Sequence, residues 1–135
     1  MRIQLYATSV DEDFVTDFTA GWHLRCPEDC LETQLVAPLH SAIPALRWSD
    51  EAELIVVFET QVLEASRVDN LVNLVLRQAL RRSTQPVIAL AHDTVLSRRQ
   101  LSESGLSGCY LRSEHPQRDG IAWGKVLGQT WHVDD

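Results

Sequence analysis

Few side chains in this sequence are of types that do chemistry, and those that group together do so after short apolar runs. Glu59 and Thr60 follow Leu54-Ile55-Val56-Val57-Phe58, His92 and Asp93 follow Val87-Ile88-Ala89-Leu90-Ala91, and Ser9 follows the alternating run from Arg2 to Thr8. If these runs are parallel strands of one sheet, all five polar residues fall where the strands end. That edge is where open α/β sheets bind ligands. Ser9, Glu59, Thr60, His92 and Asp93 are therefore the candidate pocket, and no residue is assigned a catalytic role. The competing reading of Glu59 is a loop carboxylate held in water.

A second grouping, His23, Cys26, Cys30 and His40, gathers soft ligands in a short span. It lacks the tight Cys-x2-Cys spacing of structural zinc sites. The stretch from Trp22 to Cys26 also reads as a helix end followed by a loop, so no metal is expected. Cys109 lies in an apolar strand and reads as inert core. Trp48, Trp123 and Trp131 fit either a core or a contact surface, where tryptophan is enriched.

The elements that must position these residues follow from hydrophobic period. Residues 2–8 and Leu31 to Val36 alternate as strands. Between them, Phe14, Val15, Phe18 and Trp22 recur at helical spacing behind the acidic start Asp11-Glu12-Asp13, which suits the positive end of a helix dipole. Gly21 is a place for that helix to end or bend. Pro38 and Pro44 interrupt the next segment, and Ser41 to Trp48 reads as a short helix.

Glu53 to Phe58 is the clearest strand, its unbroken apolar run suiting burial on both faces. Val68, Leu71, Val72, Val75, Leu76 and Ala79 form an apolar helical stripe opposed by Asp69, Arg77 and Arg81. Val87 to Ala91 is a strand, and a helix through Leu96 and Leu101 stops at Gly105. Gly108 to Leu111 is a short strand, Ser113 to Gly120 is loop-like, and Ile121 to Trp131 closes the chain as a helix.

Strand and helix alternate throughout, so a parallel sheet with right-handed crossovers is expected. The expected fold is α/β: a single Rossmann-like three-layer domain over residues 1–135, with a mostly parallel sheet of about four or five strands. Its length needs neither metal nor disulfide to hold a core. A net charge of −7, from 19 acidic and 12 basic side chains, repels a phosphate backbone. Arg77, Arg81, Arg82, Arg98 and Arg99 read as solvated helix faces, so no nucleic-acid partner is expected. No run approaches the roughly 20 apolar residues that span a bilayer, so no membrane partner is expected either. Three cysteines without a signal-like start fit a reducing cytoplasm.

Two segments together resemble the two ends of the large, two-domain bacterial glycerate kinases. The first comprises Ile3 to Ser9, Val15 to Trp22, Pro27-Glu28 and a strand reaching Pro38-Leu39. The second runs from Ala52 through Glu59-Thr60, then Pro86-Val87-Ile88-Ala89-Leu90-Ala91, then Glu103-Ser104-Gly105-Leu106 before Cys109-Tyr110-Leu111. The order and spacing of these motifs cover most of the chain. The resemblance implies the family's Rossmann-like domain without its long inserted second domain.

It also implies a degenerate active site. The family's first-turn lysine is replaced within Thr8-Ser9-Val10-Asp11, and its glycine-rich loop by His40-Ser41-Ala42-Ile43. Its Thr-Gly-Glu-Gly turn becomes Val57-Phe58-Glu59-Thr60, and its helix lysine falls near Asn70. The only lysine in the chain is Lys125. Phosphoryl transfer needs cations on the transferring group. The expectation is a non-catalytic binding or interaction module that self-associates as a homo-oligomer. The partners expected besides a second copy are a protein or a small hydroxy-acid ligand, and no cofactor is expected. The alternative is a glycerate kinase, residual or completed by a partner subunit, which would require ATP and magnesium. A further alternative is a receiver-like signalling domain, because Pro86 to Leu111 also resembles the last two strands of response regulators.

Overall fold

The computed structural model describes residues 1–36, 46–59, 71–82, 85–91, 99, 103, 105–111 and 114–126. Strand β1 (Arg2–Thr8) leads through a 3-10 turn (Ser9–Asp11) into helix α1 (Glu12–Arg25), and strand β2 (Cys30–Val36) follows. Strand β3 (Leu54–Glu59), helix α2 (Leu71–Arg82), strand β4 (Val87–Ala91), strand β5 (Gly108–Leu111) and helix α3 (Pro116–Val126) complete the described elements. The strands form one five-stranded sheet in the order β2-β1-β3-β4-β5. All four pairings are parallel, so the expected α/β architecture stands, with five strands.

Side chains alternate between two buried layers. Ile3, Leu5 and Ala7 of β1 join Leu54, Val56, Phe58, Ile88 and Leu90 beneath Val15, Phe18 and Trp22 of α1. Tyr6 joins Ile55, Val57, Val87 and Ala89 beneath Leu71, Val72, Val75, Leu76 and Ala79 of α2. The apolar runs of β3 and β4 thus serve both faces, as a central parallel strand requires. Helices α1 and α2 cover opposite faces of the sheet.

Gly21 does not end or bend α1, which continues to Arg25. It is the point where α3 crosses. A Cβ on Gly21 would lie 2.0 Å from the Gln117 carbonyl oxygen, and one on Gly120 would lie 1.9 Å from the Phe18 carbonyl oxygen. Two glycines therefore let helix backbones touch, which overrides the weak helix propensity of the residue.

Residues 116–120 are likewise helical rather than loop, because Pro116 opens α3 with a preset φ and no N–H to satisfy. The closing helix ends its described course at Val126, and Trp131 lies outside the described residues. Leu46 to Trp48 is not helical; the rest of the helix expected from Ser41 lies outside the described residues. Gly105, with φ +85°, adopts the left-handed conformation that stops a helix. Arg99 and Glu103, one turn apart, pair at 3.3 Å on an exposed face.

The segment before β3 is held by a buried phenol. Tyr6 is 0% exposed, stacks on Trp48 with centroids 6.0 Å apart, and donates to the Arg47 carbonyl at 2.9 Å. Burial pushes its pKa above 10.0, outweighing hydrogen bonding from the Ser49 backbone. The folded chain thus holds the phenolic proton more tightly than the unfolded chain. Tyr6 therefore supports stability fully below about pH 10, and that support is lost as pH rises through the folded value. Tyr6→Phe is expected to cost about 1 kcal/mol at neutral pH and to flatten the alkaline decline. Urea midpoints measured from pH 8 to 11 check both; a decline as steep in the variant would sink the assignment to Tyr6.

Candidate functional site

The strand order reverses between β1 and β3: the chain moves outward from β1 to β2, then returns across β1 to β3. At such a reversal the helices following the two strands depart to opposite faces and leave a crevice at the carboxyl ends. β1 and β3 pair from Ile3–Leu54 to Tyr6–Val57. Continuing that register brings Thr8 level with Glu59, so the last residues of both strands meet at the mouth of the crevice. β4 ends at the same height, since Ala91 pairs with Glu59.

Ser9 and Glu59, two of the five candidate residues, therefore fall at one edge on adjacent strands. Ser9 is exposed immediately after β1, and Glu59 is the last residue of β3. Thr60, His92 and Asp93 lie outside the described residues.

Two residues that sequence reasoning did not single out for the pocket are buried at this edge. Thr8 is 7% exposed and Asp11 5%. The Thr8 Oγ1 has no hydrogen-bond partner among the described residues. Asp11 occupies the position that caps α1, yet its side chain makes no capping hydrogen bond. The neighbouring Val10 is 67% exposed, so the 3-10 turn sends an isopropyl group into water and a carboxylate inward. That inversion is the reverse of ordinary burial preference. It is invisible in the residue order, where Asp11-Glu12-Asp13 reads as a helix start stabilised by its dipole.

The described residues at this edge, Thr8, Ser9, Val10, Asp11, Glu12 and Glu59, include no lysine or arginine. Lys125 lies in α3. Among these described residues the charged ones are all acidic.

The middle of the β1–β2 surface carries a separate depression of about 270 Å³, lined by Gln4, Glu32, Thr33, Gln34, Arg47, Trp48 and Ser49. Gln4 is 7% exposed and donates to the carbonyls of Leu5 at 3.1 Å and Glu32 at 3.2 Å. The Trp48 Nε1 is buried without a hydrogen-bond partner among the described residues. Alternation along β1 (Gln4, Tyr6, Thr8) is the signal that could have marked this polar row in the sequence.

The His23, Cys26, Cys30 grouping is dominated by a loop tie. Asp29 accepts from the Trp22 Nε1 at 2.9 Å and from the Met1 amino group at 3.1 Å. The His23 Nε2 meets the Asp29 carbonyl at 3.1 Å, and His40 lies outside the described residues. Among the described residues no three His, Cys, Asp or Glu side chains are grouped to hold a metal, and no helix is long and apolar enough to cross a membrane.

No protein-family profile matches the sequence, and no curated protein is significantly similar to it. Among solved structures the chain is similar to a mutant flavo di-iron protein from Thermotoga maritima, with a TM-score of 0.62 at 11% identity. The match covers 97% of this chain and 36% of that one. The likeness is one of fold, and it agrees with the strand order, which is the flavodoxin-type arrangement of a doubly wound sheet.

Proposed function

We propose that this chain is a non-catalytic interaction domain, a shortened relative of the Rossmann-like domain of glycerate kinases, which works in the cytoplasm by self-association or by holding a partner. The observation that carries this reading is the edge formed by the ends of β1 and β3, where Asp11 is buried and no lysine or arginine stands among the described residues. A phosphoryl donor bound there would need lysine, arginine or a carboxylate-held metal, and the described residues of the edge supply no lysine or arginine. The net charge of the whole chain also repels phosphate.

A receiver-like signalling domain is the second reading, favoured by the strand order that response regulators share and by Asp11 and Glu59 at the ends of adjacent strands. Against it, β3 ends in glutamate where receivers carry the accepting aspartate.

One set of assays tests both. No turnover above background is expected with ATP, magnesium and glycerate in a coupled assay, and no covalent label is expected from acetyl phosphate. Turnover abolished by Glu59→Ala would overturn the non-catalytic reading in favour of a residual kinase. Label retained through denaturation and lost in Glu59→Gln would transfer the assignment to the receiver-like reading.

A further inference from the structure

Among the described residues β2 is an edge strand, and it lacks the lysine, proline and bulge that commonly keep an edge from pairing. Protected edges are short, or carry lysine, proline or a bulge. β5, the other edge, is four residues long. β2 is seven residues long, Cys-Leu-Glu-Thr-Gln-Leu-Val, without lysine or proline, and it pairs with β1 one to one over its whole length without a bulge.

The direction of its free backbone groups follows from the ladder. Cys30 donates its N–H to the Met1 carbonyl, so Cys30, Glu32, Gln34 and Val36 turn their backbone groups toward β1. Leu31, Thr33 and Leu35 turn theirs away from the sheet.

We propose that this edge is where a second copy of the chain docks, antiparallel, about a twofold axis through Thr33. This deepens the self-association in the reading above and rests on that part of it alone. The sequence on either side of Thr33 is self-complementary, Leu-Glu-Thr-Gln-Leu. With Thr33 opposite Thr33, each Leu31 faces the other copy's Leu35, and each Glu32 faces Gln34. The outward-turned residues become the hydrogen-bonded pairs of the new ladder.

On the α1 face, the pairing covers Leu35, which is 39% exposed, with a leucine from the other copy. On the α2 face, each carboxylate meets an amide, and the two Glu32 side chains avoid each other, where like charges directly opposite would destabilise. A symmetric contact of this kind closes on itself and leaves no edge for further growth on that side. The strand contact is smaller than the roughly 1,600 Å² of a standard stable interface, so the dimer dissociates on dilution.

Light scattering on the full chain across a concentration series is the test. The wild type should approach twice the chain mass at millimolar concentration. Thr33→Pro removes an N–H that β1 does not use, on the side where an edge strand tolerates proline. It should keep the wild-type circular dichroism and halve the mass.

Thr33→Cys in a Cys30→Ser background covers the case of a misfolded proline variant. Hydrogen-bonded antiparallel partners sit about 5.5 Å apart between Cα atoms, within disulfide reach, so oxidation should give a covalent dimer through position 33. A wild-type monomer at millimolar concentration, a folded Thr33→Pro dimer, or a Thr33→Cys variant that does not cross-link would each overturn the proposal. Phosphotransfer activity combined with mass halving in Thr33→Pro would sink the non-catalytic reading and leave this interface standing.

Discussion

Gly120→Ala is expected to lower stability by roughly 3 kcal/mol, the upper end of what overpacking costs, and to lower Tm by about 10 °C for a chain of this size. The added methyl would stand 1.9 Å from the Phe18 carbonyl oxygen and 2.7 Å from the Trp22 backbone nitrogen. Neither neighbour is a side chain that can change rotamer, so relief requires α3 to lift from α1. Separating the helices then loosens the covering over Phe18 and Trp22, both 0% exposed.

Gly105→Ala provides the contrast. Its nearest neighbour is a Leu76 methyl at 3.9 Å, so it suffers only the left-handed backbone penalty of about 1 kcal/mol. Urea unfolding of the two variants separates the causes. Equal losses, or a Gly120→Ala variant as stable as the wild type, would show that the helix backbones do not touch.

The other large effect is expected at Phe58. Its ring is 0% exposed and stands edge-on to Phe18 at 5.0 Å and to Phe14 at 5.7 Å. One side chain of β3 thus fastens two successive turns of α1. Phe58→Ala leaves a cavity between strand and helix and should cost about 3–5 kcal/mol, a large share of the ~5–15 kcal/mol that holds a domain folded. Phe58→Leu fills most of that space and should cost about 1 kcal/mol. Denaturant midpoints decide it; similar losses for both would mean that ring geometry, rather than volume, supplies the stability.

Much of this architecture is legible in the residues. Leu54 to Phe58 and Val87 to Ala91 are unbroken apolar runs because both faces of a central parallel strand are covered, and the stripe from Leu71 to Ala79 marks the face of α2. Strand order is not legible, since adjacent parallel strands carry the same Val, Ile and Leu whichever neighbour they meet. Gly21 reads as a helix stop because the reason for its presence, the backbone of residue 117, is distant in sequence.

The candidate edge divides the same way. Ser9 and Glu59 are legible as strand-end positions because each closes a strand-forming run. The burial of Asp11 is not legible, because it depends on a single 3-10 turn that exposes Val10 in its place. No hydrophobic period carries that rotation. The His23 and Cys26 spacing falls beside a loop tied around Asp29, for which an Asp and a nearby Trp are an unremarkable signal.

The contact between the two glycines joins parts of the chain made about a hundred residues apart. As the polypeptide leaves the ribosome, α1 appears well before the helix that completes its packing. Until residues 116–126 emerge, the nascent protein carries a notch cut for a backbone that has not yet been synthesised. Translation that stops short of Pro116 therefore yields a product open to chaperones and proteases along that notch, however complete its sheet.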